Sequence, residues 1–125
     1  MAWGHCLEVY NAKEEHIATL KEEVFTWMPR FRIYLGDHYV GDIKKEFTFF
    51  KPSFSLDYKG WEVTGDFFDW DYEITESGSA IAWVSKQLFN FTDTYTIEVA
   101  QPENALMCLM IVLAIDAAKC SGNNA

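Results

Sequence analysis

The sequence predicts a mainly β fold, an antiparallel barrel of repeated hairpins closed around one buried, hydrophobic C-terminal α-helix. Three observations carry that prediction. Apolar and polar residues alternate with a period of two along most of the chain, the signature of half-buried strands. A unit of roughly twenty residues recurs through the sequence. Near the end, every residue from Ala105 to Ile115 is apolar.

The strands follow from the alternation. Phe31, Ile33 and Leu35 flank Arg32 and Tyr34, and the pattern returns as Phe54 and Leu56 around Ser55, then as Tyr72 and Ile74 around Glu73. It returns again as Tyr95, Ile97 and Val99 around Thr96 and Glu98. Turn signals follow the first three, at Gly36-Asp37, Lys59-Gly60 and Ser77-Gly78, where glycine supplies the positive φ of tight hairpins. Overlaying the units aligns Leu20, Ile43, Val63 and Val84, then Trp27, Phe50, Trp70 and Phe91, then Phe31, Phe54, Tyr72 and Tyr95, with Pro29 on Pro52. The third unit needs two residues removed between Trp70 and Tyr72 to hold this register. Leu7 to Tyr10 reads as the tail of an earlier unit whose first half is absent. Aromatics recurring at one structural position are layers of a core in preference to a ligand cage.

After Val99 the alternation breaks at Gln101-Pro102-Glu103, where proline suits a first helical turn and glutamate its positive end. A helix is expected over about 102–119, apolar on all faces and therefore enclosed, with Gly122 just beyond it and 120–125 as a tail. The apolar run stops at Asp116, short of the roughly 20 residues of a membrane span. The economical site for such a helix is the interior of a closed or nearly closed barrel. Residues 1–125 are thus read as one domain, with strands over about 4–100.

Composition narrows the function. The 125 residues are half apolar and 17% aromatic, enough for one core, and carry a formal charge of −9. That charge opposes binding to nucleic acid and to anionic surfaces unless basic residues cluster locally. Cys6, Cys108 and Cys120 lack metal or redox spacing and read as reduced thiols. Residues 1–10 lack a signal sequence, so a cytoplasmic location is expected.

No Walker loop, GxSxG elbow or GxGxxG motif occurs, and His5, His16 and His38 are isolated, so no catalytic residue, metal site or cofactor is assigned. Asp66, Asp69, Asp71 and Glu73 form the densest carboxylate run, with the last three on one strand face. A solvated outer face is the preferred reading, and a calcium-dependent protein or enzyme is the alternative. Arg30, Arg32, Lys44, Lys45 and Lys51 occupy adjacent repeat units and form the candidate anion patch. Asp116 is expected near the barrel mouth, capping backbone or pairing with a lysine.

The stretch Gly65-Asp66-Phe67-Phe68-Asp69-Trp70-Asp71-Tyr72-Glu73-Ile74, with Val84-Ser85-Lys86, Asp93 to Val99 and Ala114-Ile115-Asp116-Ala117, resembles the LURP-one-related proteins of the tubby-like superfamily. The resemblance covers nearly the whole chain. It implies a barrel of about twelve strands around a hydrophobic C-terminal helix, and a relation to phosphoinositide binders and phospholipid scramblases. Only about nine strands are counted here, fewer at the N-terminus than the family pattern, so a gap beside the Leu106 to Ile115 segment is expected. A homodimer covering that gap is one expectation, a shortened product the other. The function expected is a non-catalytic binding or scaffold domain for a lipid headgroup or a protein partner.

Overall fold

The computed structural model describes residues 3–23, 28–48, 51–66, 71–88 and 93–122. Among these residues nine antiparallel strands precede one helix: β1 Trp3–Tyr10, β2 His16–Glu23, β3 Arg30–Leu35, β4 His38–Thr48, β5 Lys51–Asp57, β6 Trp61–Asp66, β7 Asp71–Glu76, β8 Ser79–Leu88, β9 Asp93–Val99 and α1 Ala105–Gly122. They form a five-stranded sheet, β1 to β5, and a four-stranded sheet, β6 to β9, each in sequence order.

The repeat corresponds to strand pairs. Leu20, Ile43, Val63 and Val84 lie on β2, β4, β6 and β8, all buried. Phe31, Phe54 and Tyr72 are buried on β3, β5 and β7, while Tyr95 on β9 is half-buried. In register, Leu20 faces Ile33, Phe31 faces Ile43, and Tyr72 faces Val84, which faces Ile97. Alternation thus gives each sheet one apolar face, and both faces close on the helix in a single core. The repeated corner residues Trp27, Phe50, Trp70 and Phe91 lie outside the described residues.

Turn chemistry carries the meander. Lys59-Gly60 and Ser77-Gly78 have positive φ at both positions, 47° and 72° in the first and 51° and 85° in the second, as a type I′ turn requires. At Lys59-Gly60, however, the strands on either side do not pair, and the ladder divides into two sheets. Trp61, 2% exposed, packs edge-on against Tyr58 with ring centroids 4.8 Å apart. Beside this corner lies a cleft of about 380 Å³ lined by Phe54, Ser55, Leu56, Gly60, Trp61 and Glu62.

The helix begins three residues later than the sequence suggests, because Pro102–Asn104 form a 3₁₀ turn before it. It also runs through Gly122 instead of stopping before that glycine. Its surroundings are uneven. Met107, Cys108, Met110, Ile111, Val112, Ala114, Ile115 and Ala118 are buried, whereas Leu106, Leu109, Leu113, Asp116 and Ala117 are half-buried. At about 100° per residue those five fall on one arc roughly a quarter-turn wide. The expectation of burial on every face therefore gives way to a half-covered stripe. Among the described residues no helix is long and apolar enough to cross a membrane.

Candidate functional site

The basic residues singled out by sequence separate once strand faces are known. Arg30 lies opposite Lys44, and Arg32 opposite Asp42, across the β3–β4 ladder. All four project from the face away from the helix, because Phe31, Ile33 and Ile43 take the inner positions. Lys45 follows Lys44 directly and points the other way, 9% exposed and opposite Phe54 on the inner side. Lys51 pairs through its backbone with Thr48 at the start of β5, and its side chain lies outside the described residues. The structure thus brings Arg30, Arg32 and Lys44 together.

Two carboxylates that sequence reasoning missed share that face. Arg30 Nη2 donates to Asp42 Oδ2 at 2.8 Å, and its Nε stands 3.8 Å from Glu23 Oε2. Arg32 Nη2 lies 3.7 Å from Glu23 Oε1. The Tyr39 hydroxyl donates to the same Asp42 oxygen at 2.7 Å. Asp42 is only 6% exposed and Glu23 9%; two donors hold the Asp42 carboxylate in the cluster, whereas Glu23 meets the arginines through ion pairs longer than a hydrogen bond. The hydrogen bond from Arg30 to Asp42 is the main reason that the guanidinium pKa rises above its usual value. Burial first, and the bond to Asp42 second, raise that of Tyr39. Replacing Asp42 with alanine removes two bonds at once and should cost about 2 kcal/mol. A smaller midpoint shift in urea than this predicts would mean that solvent screens the network.

The acidic run behaves as strand geometry dictates. Asp71 and Glu73 are exposed on the outer face of β7, alternating with buried Tyr72 and Ile74. Asp66 faces Asp71 across the β6–β7 ladder, and Asp69 lies outside the described residues. Among the described residues no three His, Cys, Asp or Glu side chains are grouped to hold a metal ion.

Among the described residues, the open side is formed by the two sheet edges away from the β5–β6 break. There β1 ends one sheet and β9 ends the other. Leu7, 40% exposed, and half-buried Val9 carry the inner face of β1. Tyr95, Ile97 and Val99, all half-buried, carry that of β9. The helix stripe borders β9, because the Tyr95 hydroxyl donates to Asp116 Oδ1 at 2.7 Å. The placement of Asp116 beside β9 was not legible in the sequence, since its partner lies 21 residues away on another element.

Asp116 also acts inward. Burial, and secondarily the Asp116 charge, raise the pKa of Tyr72 far above its usual value of 10.0. The folded state therefore holds this proton more tightly than the unfolded state. Its contribution is complete below pH ~10 and is lost as pH climbs above that value, by up to about 1.4 kcal/mol per pH unit. Tyr72→Phe should flatten the fall in stability measured by denaturation between mildly and strongly alkaline pH. An unchanged slope would show that Tyr72 ionises alike in both states. Burial likewise pushes the Cys108 thiol up to about 11, an inert core group.

Nine antiparallel strands in two sheets, packed on a hydrophobic C-terminal helix, define a mainly β class of domain in which the helix supplies the centre of the core. The sequence matches the LURP-one-related family over residues 1–116, and the chain belongs to that family. It is 26% identical over 113 residues to the uncharacterized protein YxjI of Bacillus subtilis (strain 168), a match covering 90% of this chain and 70% of that protein. No solved structure matches it.

Proposed function

We propose that this chain is a non-catalytic binding domain whose protein partner docks on the open side, over the half-buried stripe of α1. The observation that carries this reading is the stripe itself: Leu106, Leu109, Leu113 and Ala117 share one arc of the helix and remain partly open to water. An apolar stripe left partly open to water offers a partner surface to bury. The arginines of the β2–β4 face are engaged with Asp42 and Glu23, which supports a binding role over a catalytic one.

A photo-crosslinking residue placed at Leu109 in the producing cell should trap a second polypeptide. The same residue at exposed Glu62 should not. Equal yields at the two positions would remove the support for docking at the stripe.

Arg30 beside Lys44 favours a second reading, in which an anionic lipid headgroup is held on the outer face of β3 and β4. Such a headgroup competes with Glu23 and Asp42 for the arginines. Charge reversal belongs at Lys44, which is exposed, and not at inward-facing Lys45. Lys44→Glu should lower retention on phosphatidylserine vesicles at low salt several-fold. Retention equal to that of the unaltered protein would discard this patch.

A further inference from the structure

The two open edges are not alike. On β1 the pairing with β2 shifts register twice, between Trp3 and Cys6 and between Val9 and Tyr10. Bulges of this kind twist an edge away from further pairing, a common protection against strand addition. On β9 the pairing with β8 runs without a shift from Ala82–Val99 to Leu88–Asp93. The sequence Asp93–Val99 has no proline and no lysine, and its residues are mostly β-branched or aromatic. Among the described residues no strand pairs with its outer edge. This is a regular edge without bulge, proline or lysine.

A strand added to that edge would extend the row of Tyr95, Ile97 and Val99 and bring alternate side chains over the stripe of Leu106, Leu109 and Leu113. The chemistry there is apolar with one exception. Asp116 lies on the same arc, half-buried, and one of its oxygens accepts from Tyr95. Among the described residues its other oxygen has no hydrogen-bond donor and no cation in ion-pair range. A partly buried carboxylate in an apolar setting gains most from a cation delivered with the segment that covers it. The chain's formal charge of −9 favours a basic visitor over an acidic one.

We infer that the outer edge of β9 accepts an extended segment of a partner protein, matched to its seven residues and apolar at alternate positions, with one inward lysine or arginine paired to Asp116. The mode is strand addition, in which main-chain bonds give affinity and alternate side chains give selectivity. This inference rests on the docking reading above and names the chemistry of its partner.

The test uses the full chain and two blocked peptides of alternating valine and threonine. One peptide carries a single lysine in place of a valine, and the other carries glutamate there. Fluorescence anisotropy measures affinity, and amide hydrogen exchange locates binding. The lysine peptide should bind about tenfold more tightly than the glutamate peptide, a preference that shrinks as salt rises. Either peptide, when bound, should slow exchange along β9.

Asp116→Asn should bring the two affinities together, and the salt dependence of the unaltered protein gives the same information should that variant fold poorly. Equal affinities with protection along β9 would overturn the pairing with Asp116 and leave the docking reading standing. No protection of β9 by either peptide would overturn both. A dimer in light scattering with Leu109 at its interface would make a second copy the occupant, and protection of β9 by anionic vesicles alone would make it a membrane. Either result would overturn the inference.

Discussion

Gly65→Ala is expected to destabilise the protein by about 3 to 5 kcal/mol, a large part of the whole for a domain of this size. Gly65 stands opposite Tyr72 with φ at 136°, a conformation that side chains rarely adopt. A Cβ added there would lie 2.6 Å from Tyr72 Cα, 2.7 Å from the Asp71 carbonyl oxygen and 2.8 Å from Tyr72 Cβ. The obstacles are backbone atoms or are bonded directly to backbone, so no flexible side chain can swing away. Relief requires β6 to move from β7, and Tyr72 is one of the largest fully buried side chains of the core. Urea denaturation of the two proteins gives the difference directly. A loss below about 1 kcal/mol would mean that the β6–β7 ladder yields locally without disturbing Tyr72.

The second large effect contrasts two residues of the helix. Ile111→Ala should cost about 3 to 4 kcal/mol, since Ile111 is 0% exposed and its removal leaves a cavity among the inner faces of both sheets and the helix. Leu109→Ala removes a comparable side chain from the half-buried stripe and should cost about 1 kcal/mol. The ratio matters more than either value. Equal losses would mean that Leu109 is enclosed in solution, with something other than this chain covering the stripe. A protein that self-associates would show this as a dependence of the urea midpoint on its own concentration.

Much of the fold could be read from single residues because its period is short and local. Phe31 and Ile33 point inward and Arg32 outward for the same reason that adjacent residues of any strand oppose one another. The four units Leu20, Ile43, Val63 and Val84 align because each is the second strand of an equivalent pair. The same rule bears on the basic patch, where adjacent Lys44 and Lys45 must take opposite faces of β4. What stayed hidden depends on register between strands. Nothing local in Glu23 shows that it reaches Arg30 and Arg32, or in Asp42 that Arg30 and Tyr39 converge on it.

The division of the ladder between β5 and β6 was equally hidden. Lys59-Gly60 carries the same pair of positive φ angles as Ser77-Gly78, but the connection there is one residue longer and Trp61 packs on Tyr58. The helix stripe was obscured for a different reason. An unbroken apolar run contains no polar face from which to tell the covered side from the open one, and the neighbouring strands decide it.

The order of the elements bears on how the chain is made. Every ladder joins strands that are neighbours in sequence, so each closes a short loop and can form early. The helix is different, because it follows all nine strands and yet packs against β2, β3, β4 and β9. During synthesis the sheets therefore leave the ribosome before the residues that occupy their centre. Until α1 arrives, Leu20, Phe31, Ile33 and Ile43 face an interior without its contents, and the nascent chain is at its most adhesive just before the helix emerges. Slowing translation across Gln101 to Ala118 should lower the soluble yield more than an equal delay within the strands.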